Sequence, residues 1–133
     1  MRDGQCQCRR RALILVLDDI EETRDGIEEL LNAAGYRVET ARSEQEAVVE
    51  CTAQCPDLIL VGGSGIDVMA VAHRVREQAE LGQNVPVVIF CVETIPEGAE
   101  VEIGRNVHAT RPDNFDQLTA LLRRLLDQPP TAL

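Results

Sequence analysis

The stretch "PDLILVGGSG", residues 56–65, contains an apolar run that stops abruptly at glycine. Its four consecutive apolar residues, 58–61, predict a strand that is buried on both faces, as in a parallel sheet. The following Gly62-Gly63-Ser64-Gly65 predicts a loop at the carboxyl end of that strand, which is where open α/β sheets bind their ligands. The glycines of this loop offer only backbone groups, which raises the question whether a functional side chain is missing from it.

Similar apolar runs recur along the chain and alternate with segments of helical periodicity. The strand-like runs cover residues 12–17, 36–41, 58–61, 85–91 and 107–110. The first helical segment begins at Ile20 and ends at Gly35, and the second begins at a Ser43–Glu46 capping box. The third begins at Asp67, and a fourth, short and weak, covers 97–103 and ends at Gly104. The last is capped by Asn114 and Gln117. Five such alternations predict a doubly wound sheet of five parallel strands between two helical layers, an α/β/α architecture.

Length and charge limit the class of protein. The 133 residues fit one domain, which we expect over 12–127, with a flexible arm at 1–11 and a tail at 128–133. A net charge of −10 argues against binding nucleic acid or anionic membranes, in spite of Arg9-Arg10-Arg11. No stretch has the length and apolarity of a signal peptide or a membrane span, so we expect a soluble, cytoplasmic protein.

The five cysteines do not form a recognisable metal motif. Cys6-x-Cys8 and Cys51-x₃-Cys55 lack a CxxC partner, and both histidines lie far from them in sequence. An odd, low cysteine count is typical of reduced cytosolic thiols. We therefore expect no zinc site, and we expect Cys51 on the buried face of a helix.

The carboxyl edge of the predicted sheet collects the candidate site residues. They are Asp18 and Asp19 after the first strand, Gly62 and Gly63 after the third, Cys91 after the fourth, and Thr110 and Arg111 after the fifth. Two adjacent carboxylates repel each other unless a cation is near, and either a divalent metal or the Arg111 guanidinium could supply that charge. Alternatively, the two aspartates only begin a helix, where negative charge is favourable. The loop amides could cradle an anion, although neither dinucleotide nor P-loop spacing is present.

The chain resembles the receiver domain of two-component response regulators, a CheY-like superfamily with the flavodoxin-like (βα)₅ fold. The resemblance covers about residues 12–127. It rests on "LILVLDD", "AAGYRVETARSEQEAV", "PDLILV", "VPVVIF" and "TRP". It implies that Asp18 and Asp19 form the acidic pair of the family, and that Asp19 helps to hold Mg²⁺.

Four departures from the family's pattern imply that this receiver is atypical. The phospho-accepting aspartate falls on Gly62, and the Ser/Thr switch falls on Cys91. The lysine falls on Arg111, and the aromatic switch position falls on His108. Without the acceptor carboxylate, a Mg²⁺ site at Asp19 should be weak or lost, because hard cations need several oxygen ligands. The shortened segment between Cys91 and Gly104 also predicts a stunted fourth helix.

These residues favour a non-enzymatic interaction module that does not depend on phosphorylation, has no firmly bound cofactor, and acts in two-component signalling. The expected partners are proteins of that pathway, such as a histidine kinase or an output protein. A homodimer could form through the face of helix four, strand five and helix five. Two alternatives remain open. The chain could be an active receiver whose acceptor is Asp19 or Asp67, or it could bind a small anion with the Gly62–Gly65 loop. Cys91 could sense redox state, but a small semi-buried residue is the simpler interpretation.

Overall fold

A single sheet organises the described part of the chain. The computed structural model describes residues 12–62, 68–80, 85–90, 98, 100–104, 106–110 and 115–127. Its strands are β1 (Leu13–Leu17), β2 (Arg37–Ala41), β3 (Leu58–Val61), β4 (Val87–Phe90), β5 (Glu100–Gly104) and β6 (Val107–Thr110). They lie side by side in the order β2-β1-β3-β4-β6-β5. The expected arm 1–11 and tail 128–133 fall outside the described residues, so their boundaries stay predictions.

Five of the strands are parallel, which confirms the predicted parallel sheet. β1 pairs with β2 on one side and with β3 on the other, β3 pairs with β4, and β4 pairs with β6. Every residue of β1 and β3 is buried, as continuous apolar runs between two helical layers require. The carboxyl ends of β1, β2 and β3 are aligned, because Leu17 of β1 is in register with Ala41 of β2 and with Val61 of β3.

Helices cover both faces of the sheet and confirm the three-layer α/β/α architecture. They are α1 (Glu21–Ala33), α2 (Glu44–Gln54), α3 (Val68–Gln78) and α4 (Phe115–Asp127). One core joins α1 and α4 to the sheet through Ile27, Leu31, Leu118, Leu121, Leu122 and Leu125. The other joins α2 and α3 to it through Ala47, Cys51, Val71, Ala72 and Val75. Each fully buried leucine contributes about 1.5–3 kcal/mol of apolar transfer free energy, so α4 is held mainly by its leucines.

Local signals explain two of the helix ends. Gly35 follows α1 with φ of 101°, a left-handed conformation that glycine adopts without steric cost. Ser43 begins α2, and its hydroxyl accepts a hydrogen bond from the Glu46 amide at 3.2 Å. In return, Glu46 Oε1 accepts from the Arg42 amide at 2.8 Å. These contacts confirm the predicted pairing of Ser43 with Glu46 at the start of α2, whereas the predicted cap at Asn114 lies outside the described residues.

The expected short helix over 97–103 is wrong in the part that the structure describes. Residues 100–104 form β5, which runs antiparallel to β6. Their sequence, Glu-Val-Glu-Ile-Gly, alternates polar and β-branched residues, a pattern that favours a strand over a helix. Asn106, with φ of 60°, lies in the tight connection to β6, where asparagine tolerates left-handed backbone. The sheet therefore has an antiparallel edge strand where the resemblance predicted a stunted fourth helix.

Candidate functional site: the acidic edge of the sheet

Asp18 is the most constrained residue of the predicted acidic pair. Its exposed fraction is 1%, and its Oδ1 accepts a hydrogen bond from the Ile20 amide at 2.8 Å. Its own amide donates to the Ala41 carbonyl at 3.2 Å, which extends the β1–β2 ladder by one residue. The Asp18 carboxylate therefore has a fixed place at the carboxyl edge of β1.

An arginine that the sequence reasoning did not single out lies beside Asp18. Arg24, in the first half of α1, is 8% exposed, and its Nη1 donates to the Asp18 carbonyl oxygen at 2.9 Å. Arg24 is three residues before Ile27 and seven before Leu31, so it shares the buried stripe of α1 with them. A cation on an otherwise apolar stripe was the signal that could have identified it.

The protonation of Asp18 reflects these surroundings. Burial raises the pKa of its carboxyl above the usual value of 3.8, because desolvation disfavours the charged form. The hydrogen bond from the Ile20 amide acts in the opposite direction, the neighbouring Asp19 charge raises the pKa further, and Arg24 lowers it. Burial thus disfavours the charged form of Asp18, and the hydrogen bond from the Ile20 amide, with a smaller effect of Arg24, partly offsets this rise in pKa.

Gly62 follows β3 directly and is buried next to this pair. Its amide donates to the Leu17 carbonyl at 2.8 Å, so it continues the β3–β1 ladder at the level of Asp18. This is the position that the resemblance assigns to the phospho-acceptor. The chain has no carboxylate there, and the next acidic residue along the sequence is Asp67.

Asp19 lies at the surface and lines an open cleft of about 410 Å³. The cleft is lined by Leu17, Asp19, Arg42, Ser43, Glu44, Gly62, Val71 and Arg74. It therefore contains the last residue of β1, the start of α2, the residue after β3 and part of α3.

A bidentate ion pair links the two helices at this cleft. Arg74 on α3 donates to Glu44 on α2 through Nε at 2.7 Å and through Nη2 at 2.9 Å. This bond lowers the pKa of the Glu44 carboxyl, which therefore stays charged. Both side chains are partly exposed, so water screens the pair and its contribution to stability is small.

The far side of the predicted site is described only in part. Thr110 ends β6 and is fully buried. His108 is half-buried, and its Nε2 lies 3.1 Å from Asn106 Oδ1. Gly63, Cys91 and Arg111 lie outside the described residues, as do Ser64 and Asp67, so the predicted contact between Arg111 and the acidic pair stays a prediction.

The described residues show neither a metal cluster nor a membrane span. Among them, no group of three His, Cys, Asp or Glu side chains is arranged to hold a metal ion. None of the four helices in these ranges combines the length and the hydropathy needed to cross a membrane. Cys51 is buried, as predicted, whereas Cys55 is exposed.

The chain is similar to several solved structures of response-regulator proteins. No protein-family model matches the chain, and no curated protein matches it. The chemotaxis protein CheY4 of Vibrio cholerae is 28% identical with a TM-score of 0.68, over 86% of this chain and 98% of that chain. The response regulator TrrA of Thermotoga maritima, solved with Mg²⁺ and BeF, is 22% identical with a TM-score of 0.67, over 86% and 98% of the two chains.

A response regulator structure from Chloroflexus aurantiacus is 20% identical with a TM-score of 0.69, and the match covers 90% of this chain and all of that one. The receiver domain of the hybrid histidine kinase CckA also matches, with 24% identity and a TM-score of 0.64, over 86% of this chain and 99% of that one. The chain therefore has the fold of response-regulator receiver domains.

Proposed function

We propose that the chain is an atypical receiver domain of two-component signalling, which binds protein partners without accepting a phosphoryl group on aspartate. The observation that carries this proposal is Gly62. It is buried at the end of β3, bonded to the Leu17 carbonyl, and it has no side chain to phosphorylate. The receiver fold and the acidic pair support the signalling class, and the glycine supports the loss of phosphotransfer.

The surroundings of Gly62 also favour a weakened metal site. Asp18 is buried and its carboxylate already accepts the Ile20 amide, which leaves Asp19 as the exposed carboxylate of the pair. Magnesium prefers near-octahedral oxygen coordination, and one exposed carboxylate with waters provides a weak site. Arg24 donates a hydrogen bond to the Asp18 carbonyl oxygen, and its guanidinium supplies at this edge a permanent positive charge that a metal cation would otherwise provide.

Incubation of the full chain with acetyl phosphate and Mg²⁺, followed by intact mass measurement, tests the proposal. We expect no hydroxylamine-sensitive gain of one phosphoryl group, while an active receiver treated in parallel gains it. A phosphoryl group on the unmodified chain would refute the proposal. Peptide mapping would then identify Asp19 or Asp67 as the acceptor of the alternative, active receiver.

A matched pair of variants isolates the missing carboxylate. Gly62→Asp restores the acceptor group, and Gly62→Asn has nearly the same shape without the nucleophilic oxygen. Phosphorylation of G62D but not of G62N would show that the remaining pocket is competent and that the acceptor is what the chain lacks. Titration calorimetry with Mg²⁺ should give tighter binding to G62D than to the unmodified chain, because an oxygen ligand is restored.

The partner is expected to be another protein of the signalling pathway, such as a histidine kinase or an output protein. The module would act by binding and would have no catalytic activity of its own. The alternative of a homodimer on the α4 and β6 face is decided by sedimentation of the full chain. In the structure, β5 lies beside β6 at this face, where the sequence predicted a short helix.

The cleft beside Asp19 favours one further candidate, a small anionic ligand. The space of about 410 Å³ is lined by Arg42 and Arg74, by the carboxylates of Asp19 and Glu44, and by an apolar wall of Leu17 and Val71. Because Arg74 is paired with Glu44, the exposed Arg42 guanidinium is the group proposed to meet the anion. A thermal-shift screen of nucleotides and small phosphates tests this candidate. A stabilising ligand whose effect disappears in Arg42→Ala would support it, since a ligand raises the stability of the folded state that binds it.

A further inference from the structure

The edge strand β5 lies at one end of the sheet and carries acidic residues. It is the last strand in the order, and among the strands of the described ranges it pairs only with β6. Four register pairs, from Glu100 opposite Thr110 to Gly104 opposite Val107, hold it there. The lateral side of β5 that faces away from β6 has no partner strand within those ranges.

The start of this hairpin is anchored to the helical layer as well. Gln117, in the first turn of α4, donates from Nε2 to the Gly98 carbonyl at 2.7 Å. Gly98 adopts φ of 84°, which a glycine does without strain. A strand held by a ladder on one side and by a helix at its start loses little conformational entropy when another strand is added.

The charge of this edge selects the kind of strand that it can accept. Both charged residues of β5 are glutamates, Glu100 and Glu102, and Glu102 is exposed at the middle of the strand. The other edge strand, β2, carries both Arg37 and Glu39 and is not selective in this way. Charged residues on an edge strand prevent uncontrolled pairing between sheets.

A second copy of the chain is a poor occupant. Antiparallel pairing of two β5 strands places glutamates close to glutamates, and like charges opposite each other destabilise a sheet. Each copy also carries a net charge of −10. A segment with lysine or arginine at alternate positions turns these repulsions into favourable cross-strand pairs.

We propose that the edge of β5 that faces away from β6 binds an extended, basic segment of a partner protein as an additional strand of the sheet. Backbone hydrogen bonds to the edge would supply the affinity, and the glutamates would supply the selectivity. This interaction requires no phosphorylation and is independent of the ligand chemistry at Gly62.

Fluorescence anisotropy with the full chain and a labelled nine-residue peptide of alternating lysine and threonine tests the proposal. We expect saturable binding that Glu102→Lys weakens about fivefold or more, because an attractive cross-strand pair becomes repulsive. Glu29→Lys, at an exposed position of α1, is the matched control, since it changes the net charge equally. E29K should leave the affinity nearly unchanged.

Two versions of the peptide distinguish strand addition from general charge attraction. One version is N-methylated on the odd-numbered residues and the other on the even-numbered residues. Alternate amides of a strand point to opposite lateral sides, so each version lacks the N–H donors along one edge. Binding of one version and loss of the other supports strand addition. Absence of saturable binding by the unmethylated peptide, equal weakening by E102K and E29K, or equal binding of both methylated peptides would overturn the proposal. A dimer of the free chain that the peptide dissociates would assign the edge to a second copy instead, and would also overturn it.

Discussion

Replacement of Arg24 by methionine should destabilise the domain in a pH-dependent way. The variant keeps most of the apolar stem but removes the hydrogen bond from Nη1 to the Asp18 carbonyl oxygen, 2.9 Å long and buried. A hydrogen bond from a charged donor contributes about 1.5–3 kcal/mol, and its removal takes a charged donor away from a buried carbonyl. With a urea m-value of about 1–3 kcal/mol/M, the unfolding midpoint should fall by roughly 1 M.

The pH dependence follows from the charge of Asp18. Burial raises the pKa of the Asp18 carboxyl in the folded state above 3.8, its value in the unfolded chain. Below pH 3.8 the carboxyl is protonated in both states, so the domain has the full stability that the neutral side chain allows. That stability is lost as the pH rises through the folded pKa. Arg24 opposes this loss because its charge lowers the pKa of Asp18. Arg24→Met therefore raises this pKa further, and the deficit of the variant should be larger at pH 7 than at pH 4.

Urea unfolding of the unmodified chain and the variant at these two pH values measures the effect. Arg123→Met, at an exposed position of α4, is the control for a general loss of positive charge. Asp18→Asn removes the titrating group, so the deficit of R24M in that background should be independent of pH. An R24M deficit that is the same at pH 4 and pH 7 in the native background would refute the coupling between Arg24 and Asp18.

Three further changes test the packing and the helix cap. Ser43→Ala should cost about 1 kcal/mol in urea unfolding, since the Glu46 amide loses its cap, and an unchanged midpoint would contradict this role. Leu122→Ala should cost about 2–5 kcal/mol by the same assay because Leu122 is fully buried, and a loss below 1 kcal/mol would contradict its place in the core. Burial raises the pKa of the Cys51 thiol to about 12. Brief iodoacetamide treatment at pH 8, read by fragment-ion sequencing, should therefore modify exposed Cys55 and spare Cys51, and equal labelling would contradict this burial.

The sheet could be predicted from sequence because its signals are local and strong. The runs 12–17 and 58–61 are apolar at every position, which in a chain of this length is best explained by strands covered on both faces. The structure places them as β1 and β3 at the middle of the sheet, with Asp18 and Gly62 side by side at its edge. That juxtaposition follows from parallel pairing alone.

The parts that sequence reasoning missed depend on non-local packing. The position of Arg24 on the apolar stripe of α1 indicates that it is buried, but only the placement of α1 against β1 shows that its guanidinium meets the Asp18 carbonyl. The cleft of Arg42 and Arg74 requires the relative placement of α2 and α3, which no local pattern encodes. β5 did have a local signal in its alternating residues, but residues 97–103 were interpreted as a short, weak helix ended by Gly104, and the resemblance then implied that this helix is stunted.

The β5–β6 hairpin also has a consequence for the order of folding. A helical crossover between parallel strands closes only through contacts distant in the sequence, whereas this hairpin closes around Asn106 through near neighbours. Hairpins of this size form in about 1–10 μs, well before most long-range strand pairs. We expect this end of the sheet to add to β4 as a unit that is already paired, so that substitutions at Asn106 would slow folding rather than accelerate unfolding.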